Sequence, residues 1–132
     1  MAHTLMNDRT GNAVALNVDL ATSRAARRRG LLGRDTLGAS DGLLLTPCIA
    51  VHTLSMRFSI DVIFIDRDSR VVRVVRDLRP WRMTACFRAH AVIELAAGTA
   101  AATDIQVGDL LYLTPMPPPV KRAMPVTEPQ SC

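Results

Sequence analysis

Two cysteine–histidine pairs with one spacing, Cys48-x-x-x-His52 and Cys86-x-x-x-His90, are the residues of this chain best equipped for chemistry. A separation of four puts both side chains of a pair on the same side of either a strand or a helix. Two thiolates and two imidazoles complete a tetrahedral set, so Cys48, His52, Cys86 and His90 are candidate zinc ligands, although structural zinc sites more often pair Cys with Cys and His with His at short spacing. A second chemistry is nucleophilic: Cys48 or Cys86 deprotonated by His52, with Asp61 orienting the imidazole. The simpler alternative is packed thiols and histidines satisfied by their neighbours, so no cofactor is expected, zinc being the one metal these residues would suit.

Asp61 and Glu94 stand inside strand-like runs, Ser-Ile-Asp-Val-Ile-Phe-Ile and Ala-Val-Ile-Glu-Leu-Ala. An unpaired carboxylate there is costly, and the arginines between 24 and 34 are the expected partners. Such a network is either purely structural or, in its functional form, a groove in which Arg24, Arg34, His52, Asp61 and Glu94 meet a small anionic or polar ligand. Arginine also recurs at 67, 70, 73, 76, 79 and 82. On a strand that spacing alternates faces and makes no continuous phosphate track, and it suits solvated arginines that guard a sheet edge.

The elements that must position these groups follow from periodicity. Residues 13–20 alternate, with Val14, Leu16, Val18 and Leu20 on one face and Asn17 and Asp19 on the other, the pattern of a half-buried strand. The turn at 9–12 makes residues 5–7 its hairpin partner. Thr22 or Ser23 caps a short arginine-rich helix that Gly30 or Gly33 stops. Residues 43–45 and 51–56 predict two strands. Residues 59–66 and 71–78 predict a hairpin around the turn Asp66-Arg67-Asp68-Ser69-Arg70. In its first arm Ile60, Val62 and Phe64 face one way and Asp61, Ile63 and Ile65 the other; in the second, Val72 and Val74 point inward. Pro80-Trp81 reads as loop, 91–95 as strand, 99–105 as a short helix, and Val107-Gly108-Asp109 as a turn into a last strand at 110–113.

At 132 residues the chain is one domain, with no stretch near the roughly 20 apolar residues that span a bilayer. No basic start followed by an apolar core marks a secretory signal, and three cysteines form an odd set, so a cytoplasmic location with reduced thiols is expected. The net charge of +4 is almost all arginine, with Lys121 the only lysine. That is weak for a nucleic-acid footprint, and nucleic acid is not an expected partner. Six of the eight prolines fall from Pro115 onward, which divides the chain into a domain over 1–114 and a Pro-rich, flexible or polyproline-like tail over 115–132.

Five ordered blocks resemble the domain-of-unknown-function family 192 over roughly residues 14–114. They are Arg24 with Arg28-Arg29-Gly30-Leu31-Leu32-Gly33-Arg34, then Asp41-Gly42-Leu43-Leu44, Ser59 through Asp66, Val92 through Gly98, and Ile105-Gln106-Val107-Gly108-Asp109. The chain departs from the family's commonest pattern at His52-Thr53, where Trp-Met is usual, and at Ser59, where Pro is usual. The resemblance implies a small β-rich domain with a short helix. Many relatives look exported or envelope-associated, and no activity comes with the family. The Gly108-Asp109 turn is similar to one in cradle-shaped β-barrels, including DNA-binding transition-state regulators.

The sequence therefore predicts a compact α+β domain, a mainly antiparallel sheet or partly closed barrel with one or two short helices. Its expected role is a non-enzymatic accessory module that binds a small ligand or a protein partner. The alternative is a metal- or thiol-dependent enzyme using Cys48, His52, Cys86 and His90, and the third reading is a DNA-binding regulator.

Overall fold

Runs of β-branched and aliphatic residues become strands, and the most uniformly apolar of them are covered on both sides. A computed structural model describes residues 3–115. In chain order these form β1 (His3–Asn7), β2 (Asn12–Ala21), α1 (Arg24–Arg29), β3 (Asp41–Leu45), β4 (Ala50–His52), β5 (Ile60–Ile65), β6 (Val71–Leu78), β7 (Met83–Ala85), β8 (Ala91–Ala96), α2 (Thr99–Ala102) and β9 (Leu111–Pro115). Seven strands make one sheet in the order β6-β5-β8-β3-β2-β1-β9, antiparallel except for β2 beside β3, and β4 pairs with β7 in a separate two-stranded ribbon. The large sheet curls until its two edges meet at one end. A bridge joins Arg70 to Leu110, and the Val71 and Leu111 amides donate to the carbonyls of Asp109 and Ser69. The architecture is a half-barrel with two short helices, as the residue pattern predicts.

Curling gives the sheet two apolar layers. Inside, Leu5, Val18, Ile63, Ile93, Leu95, Ile105 and Leu111 pack together. On the outer face Ile60, Val62, Phe64, Val92, Leu43 and Leu45 pack under Leu31, Leu37, Val51 and Met56, which come from the segment after α1 and from the β4 region. All six residues of β5 and the first five of β8 are buried. β3 lies so close to β8 that a Cβ at Gly42 would stand 2.9 Å from Leu95 Cδ2 and 3.3 Å from the Glu94 carbonyl, so a larger residue requires the buried Leu95 side chain to move and the β8 backbone to give slightly.

Several expectations need correction. Register shifts between β1 and β2 break the alternation predicted for 13–20: Val14, Ala15 and Val18 turn inward, whereas Leu16 and Leu20 are exposed. Irregular pairing in the β5–β6 hairpin sends Val71 and Val74 to the inner layer and Val72 and Val75 to the outer one. β4 stops at His52, because Ser55 adopts a positive φ of 66° in the turn that follows, and β7 forms just after the predicted Pro80-Trp81 loop, where the sequence predicts no element. Helix α2 ends at Ala102. Pro115 closes β9, and the rest of the Pro-rich tail lies outside the described residues.

The expected arginine partners of Asp61 are replaced by backbone. Its carboxylate, 1 % exposed, accepts from the amides of Asp77 (2.9 Å), Gly98 (3.0 Å) and Ala100 (2.9 Å). It thereby ties β6 and the start of α2 to β5, and Gly98 supplies the left-handed backbone (φ 94°) that aims two of those amides. The arginine–carboxylate network instead sits at the sheet closure. Asp109, 4 % exposed, accepts from Arg9 Nε (2.6 Å), Asn7 Nδ2 (2.9 Å) and the Gln106 amide (2.8 Å), and Arg9 also reaches Asp104 (3.2 Å). The guanidinium of Arg9 above all holds the Asp109 carboxyl down at about 2, with the Asn7 and Gln106 donors adding to the effect against its burial.

Two outcomes follow. Asp61→Ala leaves three amides, that of Ala100 fully buried, without their acceptor, and denaturant unfolding should show a loss on the order of 2–4 kcal/mol; a loss below ~1 kcal/mol would mean that the amides find other acceptors. Asp109 is depressed, so its contribution is present in full above its ordinary value of 3.8 and is lost as pH falls toward about 2. Asp109→Asn should therefore flatten the acid limb of the stability curve; an unchanged limb would remove the pair from the account.

Candidate functional site

One cleft, with a volume of about 330 Å³, opens between α1 and the β4 region. Its rim begins with a cap: the Ser23 hydroxyl accepts from the Ala26 amide at 3.0 Å and starts α1, and Gly30 ends it. This six-residue helix buries no residue fully and presents Arg24, Arg27, Arg28 and Arg29 to the cleft. Arg27 is tied back by a hydrogen bond from its guanidinium to the carbonyl of Thr22 (2.5 Å). Arg24, Arg28 and Arg29 are exposed, with no ion pair among the described residues.

The floor is Glu94 of β8. Its backbone pairs with Leu43 on one side and Val62 on the other, so both flanking side chains are apolar. The residue is 4 % exposed, and Oε1 is buried without a hydrogen-bond partner among the described residues. Burial alone pushes its carboxyl up to about 7. An unpaired carboxyl on a doubly covered strand is costly, and proximity to water through the cleft mouth is the only relief the fold supplies.

Between rim and floor stand Cys48 and His52. The Cys48 thiol donates to the Ala50 carbonyl at 3.2 Å. Burial above all pushes that thiol up; backbone hydrogen bonding at Ala50 opposes the rise, the nearby Glu94 charge adds to it and Arg27 opposes it. This is the opposite of what an activated nucleophile needs. His52 is exposed on β4, and its Nδ1 accepts from the Leu54 amide at 3.3 Å.

Of the five groove residues expected from the sequence, the fold gathers three, Arg24, His52 and Glu94. Arg34 stands outside the cleft, 3.8 Å from Asp19, and Asp61 projects into the opposite layer beneath α2. The Cys48 amide donates to the His90 carbonyl and the Cys86 amide to the Ile49 carbonyl, so both cysteine–histidine pairs border one region. Among the described residues no three His, Cys, Asp or Glu side chains converge as they would around a metal ion. Arg27, Arg28 and Arg29, which the sequence offers as carboxylate partners but not as groove residues, complete the rim; four arginines within six residues are the available signal. The arginines at 67, 70, 73, 76 and 79 are exposed along or beside the edge strand β6.

The carboxyl of Glu94 makes stability depend on pH. Raised from 4.5 to about 7, it favours the folded state fully below pH 4.5, and that advantage is lost as pH rises toward about 7. The loss is on the order of 3 kcal/mol, and Glu94→Gln should abolish it, so that wild type and variant diverge in melting temperature between those two pH values. Parallel curves would show that Glu94 gains a partner in solution.

Residues 5–113 match the family model DUF192, described as an uncharacterized ACR, and the chain belongs to that family. No curated protein matches the chain. Two solved structures share its fold. One, from Sinorhizobium meliloti 1021 and named as a "putative transcription regulator", is 21 % identical with a TM-score of 0.77, covering 86 % of this chain and 94 % of its own. The other, a protein of unknown function from Novosphingobium aromaticivorans DSM 12444, is 25 % identical with a TM-score of 0.72, covering 85 % and 84 %.

Proposed function

We propose that this member of DUF192 is a non-enzymatic accessory module that takes up a small anionic ligand in the cleft between α1 and Glu94. One observation carries the reading: a carboxyl buried to 4 % exposure, unpartnered at Oε1 among the described residues, lies at the floor of a cleft rimmed by three guanidiniums without ion pairs among those residues. Folding tolerates such a group at a cost, and a ligand that donates a hydrogen bond to it recovers that cost on binding. The cleft lies at the small end of the range for ligand pockets, so the ligand is a few heavy atoms across.

Charge sets the ligand class. Arg24, Arg28 and Arg29 match a carboxylate or phosphate in the bidentate geometry that guanidinium favours. At the floor, protonated Glu94 offers one hydrogen-bond donor and one acceptor, and ionised Glu94 would repel the same anion. Binding of an anion therefore strengthens as pH falls through about 7. A thiol enzyme is the weaker reading, because Cys48 is pushed up and bonded to a carbonyl. In a cytoplasmic setting that thiol stays reduced and acts as part of the cleft wall.

A thermal-shift series with inorganic phosphate and small mono- and dicarboxylates tests this. At a pH below 7, where Glu94 carries its proton, at least one anion should raise the melting temperature. The rise should be lost in the Arg24→Gln/Arg28→Gln variant and should persist above pH 7 in Glu94→Gln. No shift with any anion below pH 7 would overturn the proposal.

A further inference from the structure

We propose that the β4–β7 ribbon docks this protein on an anionic lipid surface, an interaction separate from ligand binding in the cleft. Trp81, Met83 and Phe87 are 61 %, 71 % and 86 % exposed, and Ile49 and Leu54 are each 41 % exposed. All five come from two short segments that lie against each other, with Ala50 opposite Ala85 and His52 opposite Met83. Val51 and Thr84, which alternate with these positions, are buried. The ribbon thus has one face on the outer apolar layer and one face, with Ala50, His52, Met83 and Ala85, turned away from it, while the exposed Ile49, Leu54, Trp81 and Phe87 flank it in the adjoining turns.

Charge complementarity points to lipid. The segments 42–60 and 78–93 contain no acidic residue. Within them Arg79, Arg82 and Arg88 are exposed and without ion pairs among the described residues, whereas Arg57 is held by Asp35. Guanidinium and apolar groups alternate along the chain as Arg79, Trp81, Arg82, Met83, Phe87 and Arg88. A headgroup layer accommodates that alternation directly: each aromatic or thioether side chain enters the acyl boundary singly, and each arginine meets a phosphate. Trp81 holds its place in a turn at a φ of 64°, with its amide donating to the Thr53 carbonyl at 2.9 Å, so the ring is presented by fixed backbone. Among the described residues no helix is long and apolar enough to cross a membrane, and the contact proposed is peripheral.

Trp81 is the only tryptophan, so its emission reports its own environment. Titration with vesicles of phosphatidylcholine plus phosphatidylglycerol at low salt should shift the emission to the blue and carry the protein down on sedimentation, and added salt should reverse both. Vesicles of phosphatidylcholine alone should do neither. Phe87→Ser and Met83→Ser, at positions already in water, should each weaken partitioning roughly tenfold without changing the melting temperature. Arg79→Gln/Arg82→Gln/Arg88→Gln should abolish the preference for anionic vesicles. Absence of shift and sedimentation at low salt, or equal binding to neutral vesicles, would overturn the proposal. So would a blue shift that rises with protein concentration and a doubled mass without vesicles, which would assign the face to a second copy of the chain.

Discussion

A strand buried on both faces has no place for an unpaired carboxylate, and two adjacent strands of this domain, β5 and β8, are each buried that way and each carry one. The two acids resolve the constraint in opposite ways because they point to opposite layers. Asp61 turns toward the inner layer, where a chain reversal brings three amide donors within 3.0 Å. Glu94 sits one pair further along the same ladder, opposite Val62, and turns toward an outer layer that offers hydrocarbon and a cleft. One carboxylate becomes a rivet of the fold, and the other keeps its proton to about pH 7.

The distribution of cations follows the same logic. A guanidinium drawn into the core to neutralise Glu94 would have to lose its own hydration, and such pairs seldom repay that loss. Arginines are accordingly spread over surfaces: along the edge strand β6, around the cleft on α1, and over the ribbon, where they remain hydrated and able to meet an external anion. Among the described residues the one strongly buried ion-pair partner is Asp109, and its cation Arg9 reaches it from a half-exposed position, 41 % accessible, where the cost of desolvation is small.

The sequence makes much of this legible. The half-barrel class, the Ser23 cap, the β5–β6 hairpin, the facing of Asp61 against Ile60 and the membership of family 192 are all readable from residue patterns and motifs. Misreadings cluster where one extra residue enters a strand. A bulge in β2 turns Leu16 outward, and irregular pairing in β6 splits the valines between layers, because a single inserted residue inverts every later side chain. The cleft was half legible. The sequence points to its floor and part of its rim, but also to Arg34 and Asp61, because proximity in sequence and shared polarity say nothing about which face of a curled sheet a residue meets. The Arg9–Asp109 pair, 100 residues apart, leaves no local signal at all.

That separation reaches beyond the folded state. β1 pairs along its whole length with β9, so the strand made first, His3–Asn7, finds its outer neighbour only when residues 111–115 have been synthesised. The latch between Asn7 and Asp109 spans 102 positions. During translation the nascent chain can form the β5–β6 hairpin early, yet it carries β1 as an open edge until nearly the last of these residues leaves the ribosome. Closure of the half-barrel therefore waits for β9, with distant contacts outnumbering local ones and correspondingly slow folding.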